Sequence, residues 1–321
     1  MTTNRRSFLD LSPSRICLGT GDLGSTVDKD SAFTLLDAFL DLGGNFLDTA
    51  KVYADWLPGE RSISEKTIGT WMHQRNNRAR VILGTKGAHP DLNTMHISRL
   101  SRAEIESDLH ASLRNFQTDV IDMYWLHRDE PARPVEDILT TLNEAVKAGK
   151  IRYFGCSNWK IDRIRQANEY AEQHGLLGFA ADQPMWNMAV VDKTALADPS
   201  LVIMNKALWD YHRTTNLPVI PFSASANGLF QKLARMDKPD LDLIPQKHYR
   251  SPANLKRLER ARRLADRRGL TITQVVLGYL LSQPFPTIPI VSTKKLDHLQ
   301  EILASSNVRL ESTEIEWIEA E

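Results

Sequence analysis

Cysteine is almost absent: the 321 residues hold two, Cys17 and Cys156. That is too few for a disulfide framework, and there is no CxxC pair. A surplus of either charge is absent too, since 40 Lys and Arg balance 40 Asp and Glu for a formal net charge of zero. No basic face follows, and nucleic acid is not an expected partner. No apolar run approaches the roughly 18 residues of a membrane span. The opening stretch MTTNRRSFLDLSPSR carries two arginines but no apolar h-region, so the expected setting is the reducing cytoplasm. No H-x-H, H-E-x-x-H or Cys/His cluster stands at ligand spacing, so no metal is expected and a hydrolase built on His127 and Asp48 has little support. Linkers, internal repeats and low-complexity segments are also missing, which points to one domain over residues 1–321.

What is present is alternation. Strand-like runs occur at 16–20, 45–49, 81–86, 120–127, 152–157, 179–183, 219–223 and 287–291. Several are continuously apolar, as strands buried on both faces are. Helical periodicity fills the gaps: at 31–42, at 160–174 with Gly175 behind it, at 254–268 with Gly269 behind it, at 271–282 and at about 312–319. Ser62–Glu65, Ser101–Glu104 and Thr271–Gln274 have the spacing of capping boxes. Eight strands alternating with helices predict an α/β fold, a (β/α)8 TIM barrel, with an extra helix before the eighth strand and a C-terminal helix. Residues 5–12 would form a small plug or hairpin under the barrel, and 235–252, without periodicity, would form a long loop.

Polar residues stand at the C-terminal end of every strand: Thr20, Asp48, Lys86, His127, Ser157 with Asn158, Gln183, Ser223 and Ser292. Barrel active sites form at that rim. Gly19, Gly21 and Gly24 also satisfy G-x-G-x-x-G, with Asp48 near the place of a ribose-binding acid. A dinucleotide fingerprint opens its helix directly from the glycines; here six residues, STVDKD, intervene. A tight βα turn is the simpler reading.

Asp48, Tyr53, Lys86 and His127 suit carbonyl reduction. Hydride addition to an aldehyde or ketone leaves an alkoxide that must be protonated. Tyrosine serves as the acid if a nearby ammonium stabilises its phenolate. Lys86 would supply that ammonium, Asp48 would hold it charged, and His127 would orient the carbonyl oxygen.

Three segments, Asn45-Phe46-Leu47-Asp48-Thr49 with Tyr53 beyond it, Leu83-Gly84-Thr85-Lys86, and Asp122-Met123-Tyr124-Trp125-Leu126-His127, resemble the catalytic segments of the aldo-keto reductases, and the likeness runs over nearly the whole chain. The resemblance implies Tyr53 as proton donor, supported by Lys86 and Asp48, with His127 orienting the substrate. It implies that Ser157, Asn158 and Gln183 hold a nicotinamide carboxamide, and that Phe222 stacks on the ring. It places the pyrophosphate by Ser223, Ser225 and Gly228, with Thr20, Gly21 and Asp22 also at the cofactor. Ser292, Lys294, His298 and Glu301 fall at its adenosine-phosphate site, which favours NADPH over NADH. The family often has Arg or Gln where this chain has His298, and usually Asn where it has Ile302. Trp56 and Trp159 are the expected substrate walls; Trp125 is left aside as a candidate for the core. The partner is a small carbonyl compound. A second reading is a non-catalytic nicotinamide-binding regulatory subunit, resembling channel β subunits.

Overall fold

The computed structural model describes residues 7–320. Seven parallel strands form one curled sheet: β1 (Cys17–Gly19), β2 (Phe46–Asp48), β3 (Ile82–Gly87), β4 (Ile121–Leu126), β5 (Ile151–Ser157), β6 (Asp182–Gln183) and β7 (Ile290–Val291), in the order β6-β5-β4-β3-β2-β1-β7. Helices alternate with them: α1 (Lys29–Asp41), α2 (Ile63–Arg75), α3 (Arg102–Phe116), α4 (Val135–Lys147), α5 (Ile161–Gln173) and α6 (Lys206–Thr215). Between the seventh stave and β7 come α7 (Leu229–Ala234), α8 (Ala253–Arg268) and α9 (Ile272–Leu281), and α10 (Leu296–Ala304) and α11 (Ser312–Glu319) complete the set. This is the (β/α)8 barrel that the alternation implied, with α8 and α9 both in the last interval. The short α7 is an addition to it.

The stave expected at 219–223 is extended chain rather than a regular strand. It nevertheless closes the cylinder. Ile220 N–H donates to Asp182 O at 2.8 Å on one side, and Ile288 N–H donates to Val219 O at 2.9 Å on the other. Pro218 and Pro221 lack an N–H, so the ladder is interrupted on this stave.

Strand parity sets what lies inside. Cys17, Phe46, Ile82, Met123, Trp125, Ala181, Ile220 and Ile290 form one buried cluster drawn from around the barrel. Phe8, in a short 3-10 turn capped by Ser7, joins them from below, its ring 5.1 Å from that of Phe46. That is the expected plug, although residues 5 and 6 lie outside the described residues. Side chains two apart on a strand share a face. Asp48 follows Phe46 by two, Lys86 follows Ile82 by four, His127 follows Trp125 by two and Gln183 follows Ala181 by two. The polar set is therefore the top layer of the rows that make the barrel core.

Two of the three capping boxes form, at Ser101–Glu104 and Thr271–Gln274. The one expected at Ser62–Glu65 does not. Ser62 is left-handed and makes no side-chain cap, and Glu65 is buried. Its carboxylate instead accepts from Thr85 (2.6 Å), Ser112 (2.7 Å) and Asn115 (2.7 Å), binding α2 and α3 to β3. Three tertiary donors outweigh one local N–H.

Gly69 lets α2 and α3 approach closely. A Cβ there would stand 2.2 Å from Asn115 O and 2.7 Å from Phe116 Cα, both backbone atoms. Alanine gains about 1 kcal/mol of helix propensity over glycine, but overpacking costs about 1–3 kcal/mol. The clash is against backbone, so it dominates. Gly69→Ala should lower the urea midpoint; an unchanged or raised midpoint would show that the helices can separate freely.

Candidate active site

The corner where β2, β3 and β4 end holds the four residues singled out above. Lys86 is 2% exposed and Asp48 1%. The Lys86 ammonium donates to Asp48 Oδ2 in a short, fully buried ion pair, to Thr49 O at 2.7 Å and to the Tyr53 hydroxyl at 3.0 Å. An ammonium has three protons, and these are its three acceptors. Asp48 Oδ1 accepts from Gln183 Nε2 at 3.1 Å. Tyr53 lies partly open in the turn after β2, its ring centre 6.0 Å from that of His127 and 6.1 Å from that of Trp56.

Burial pushes the Asp48 carboxyl above its ordinary value, while Lys86 and Gln183 pull it back only in part. Burial acts on Lys86 in the opposite sense, towards loss of its proton, but Asp48 and Tyr53 outweigh it and the amine is held above its ordinary value. The lysine is therefore charged at neutral pH. His127 is the reverse. Burial, with Arg128, His89 and Lys86 nearby, drives it well below 6.5, so the ring is neutral. Its buried Nδ1 has no hydrogen-bond partner among the described residues.

A groove of about 1080 Å3 leads away from this corner. Thr20, Gly21, Asp22, Asp48, Tyr53, Trp56, Phe222, Ser223, Ser225, Gly228, Ser292, Lys294, His298 and Glu301 all line it. The expected cofactor residues from three distant parts of the chain thus share one cavity. Gln183 is buried against Asp48, which takes its Nε2, and its Oε1 has no hydrogen-bond partner among the described residues. An orphaned buried acceptor suits the N–H2 of a carboxamide. Ser157 and Asn158 are tied into the scaffold: Ser157 Oγ donates to Gln183 O at 2.8 Å, and Asn158 Oδ1 accepts from Val202 N–H at 3.1 Å.

Left-handed backbone clusters around the rim. Ala54, Ala88, Asn158 and Ser223 have positive φ just past Tyr53, Lys86, Ser157 and Phe222, and Ala226 and Asn227 follow in the 223–228 loop. Non-glycine residues held this way concentrate at ligand sites. Gly19 lies in close contact between β1 and β7; a Cβ there would stand 2.6 Å from Ser292 Oγ. The 19–24 glycines form a turn, with Leu23 bridged to Val27 before α1 begins under an Asp28 cap. No helix starts at the glycines, so the fingerprint reading is set aside.

Trp159 is a correction. It is 1% exposed, packs on Phe179 at 4.9 Å and donates to Arg128 O at 3.2 Å. Left-handed Asn158 breaks the strand alternation just before it and turns it into the core, so it is no substrate wall. Trp56 is 57% exposed and stands at the rim. Trp125 lies in the barrel core. Sequence reasoning missed His89, whose ring centre is 4.6 Å from that of His127. It also missed Lys51, Arg61 and Asn93, which with His89 and Lys86 line an adjoining pocket of about 300 Å3. They sit in loops without periodicity; their nearness to Tyr53 and Lys86 along the chain was the only available signal.

Comparison with known proteins agrees with this geometry. The model of the Aldo/keto reductase family matches residues 15–320. Norsolorinic acid reductase B of Dothistroma septosporum is 29% identical over 321 residues, covering 96% of this chain and 78% of that protein. An aryl-alcohol dehydrogenase of Pestalotiopsis microspora is 28% identical, covering 95% and 78%. An aldo-keto reductase of Aspergillus calidoustus is 29% identical, covering 94% and 74%. With the barrel, the rim and this match over nearly its whole described length, the chain belongs to the aldo/keto reductase family and is an oxidoreductase.

Proposed function

We propose that this enzyme reduces the carbonyl group of a small molecule to an alcohol at the expense of NADPH, with Tyr53 as the proton donor. The observation that carries the reading is the Lys86 ammonium, buried, charged by Asp48 and 3.0 Å from the Tyr53 hydroxyl. Tyr53 gives its phenolic proton to the developing alkoxide. Lys86 then stabilises the negative charge left on the phenol oxygen. His127, neutral and buried, donates to the carbonyl oxygen and sets its direction.

The groove and the buried Gln183 Oε1, unpartnered among the described residues, fit a nicotinamide dinucleotide. Gln183, with Ser157 and Asn158 beside it, would hold the carboxamide, and Phe222 offers a ring face. Ser223, Ser225 and Gly228, with Thr20 and Gly21, would line the pyrophosphate. Ser292, Lys294, His298 and Glu301 would surround the adenosine phosphate. When bound, the nicotinamide supplies the two-electron reduction of the carbonyl carbon. Trp56 is the proposed substrate wall. The described residues include no helix long and apolar enough to cross a membrane.

The test is turnover of 4-nitrobenzaldehyde with NADPH. Tyr53→Phe should lower kcat by about 10²–10⁴-fold, the scale of a lost general acid, while NADPH binding persists. Full activity in Tyr53→Phe would remove the assigned role, and no NADPH oxidation by the unaltered enzyme across a broad aldehyde panel would sink the reading.

Cofactor choice has its own test. Lys294→Ala should weaken NADPH binding by about tenfold, the scale of a charge-assisted contact, with little effect on NADH. Titration by tryptophan fluorescence reads both; equal losses would mean that Lys294 does not meet the 2′-phosphate.

A further inference from the structure

The far end of the groove holds an arrangement that a simple phosphate site would not need. Lys294 lies 3.5 Å from Asp22 Oδ1. Its ammonium also donates to Thr26 Oγ1 at 2.8 Å, and that hydroxyl donates onward to Asp22 Oδ1 at 2.5 Å. The loop after β1 and the loop after β7 are thus joined by a chain of three side chains. Asp22 and Lys294 both line the groove. The cation best placed for a 2′-phosphate therefore already faces a carboxylate.

A 2′-phosphate brings about 1.5–2 negative charges at neutral pH. Delivered to Lys294, those charges arrive beside Asp22 as well. The lysine attracts them and the aspartate repels them, and the phosphate must also compete for the Lys294 protons that Thr26 now accepts. A cofactor with a plain 2′-hydroxyl meets no such repulsion. Other ionisable residues lining the groove are Asp48 and Tyr53 at the catalytic corner, Glu301 and His298 on α10, Lys232 on α7 and Arg235 just beyond it. Glu301 adds a second acid to a groove that also carries the cations Lys294, Lys232 and Arg235.

We infer that Asp22 is a specificity-determining residue that draws the cofactor preference of this enzyme back toward NADH by occupying Lys294. The inference rests on the dinucleotide reading of the groove. Asp22 is suited to a clean test. The Asp22 carbonyl accepts from Ser25 and Val27 N–H through the main chain, which substitution leaves in place. Among the described residues its side chain makes polar contacts to Thr26 and Lys294, and it is half exposed.

The experiment is equilibrium titration of the full chain with NADPH and with NADH, read by tryptophan fluorescence. In Asp22→Asn the ratio of Kd for NADH to Kd for NADPH should rise about three- to tenfold, the scale of one like charge a few ångströms away in a half-solvated site. The rise should shrink as salt is added. In a Lys294→Ala background the same substitution should raise the ratio less, because it then relieves only the direct repulsion between Asp22 and the 2′-phosphate and frees no ammonium. Asp22→Glu, which keeps the charge, should leave the ratio near that of the unaltered protein. A ratio that stays level or falls in Asp22→Asn overturns the inference. So does a rise of equal size without Lys294. Failure of the unaltered protein to bind either dinucleotide would instead sink the cofactor reading on which the inference stands, and the inference with it.

Discussion

The buried ion pair of Asp48 and Lys86 is the interaction on which the site depends. An ammonium taken out of water costs several kcal/mol, and losing one partner of such a pair typically costs about 3–5 kcal/mol. The barrel accepts that cost only because every donor is matched: Lys86 meets Asp48, Thr49 O and Tyr53, and the second oxygen of Asp48 meets Gln183. Full satisfaction leaves the amine with no slack. It fixes the Tyr53 hydroxyl from beneath and carries a positive charge to a place where water could not hold one.

That pair follows from the barrel rather than from any local motif. The interior rows are apolar through their lower layers, with Phe8, Phe46, Met123 and Trp125 filling the space. They turn polar only in the last layer, where Asp48, Lys86, His127 and Gln183 project. The apolar layer lies below the ion pair and keeps water from entering there. The loops above it are built from strained backbone, with left-handed Ala88, Asn158 and Ser223 following strand ends and left-handed Ala54 following Tyr53. A stiff floor and sharply turned loops together hold the corner in place.

Strand parity explains which residues were legible. Asp48, Lys86, His127 and Gln183 could be found because a strand end points inward or outward by simple alternation, and each run was apolar enough to locate. Trp159 was misplaced because alternation stops at left-handed Asn158, a conformation that nothing in the sequence announces. The Ser62–Glu65 spacing was right for a cap, yet Glu65 found three better donors across α3 and β3. The irregular stave at 219–223 kept its place in the barrel, but its ladder is interrupted by Pro218 and Pro221. His89, Lys51 and Arg61 were invisible because a loop has no period to read. The Asp22–Lys294 contact joins residues some 270 positions apart, and only the closure of β1 on β7 brings them together.

The central claim is that the buried ammonium, held by Asp48, is what enables Tyr53 to act as the acid. Replacing Lys86 with methionine keeps the stem and removes the charge. The measurement is kcat for 4-nitrobenzaldehyde in Lys86→Met beside its NADPH affinity. A fall of about 10²–10⁴-fold in kcat with NADPH binding retained is the predicted result. A folded Lys86→Met enzyme that still turns over within a few-fold of the unaltered one would contradict the account.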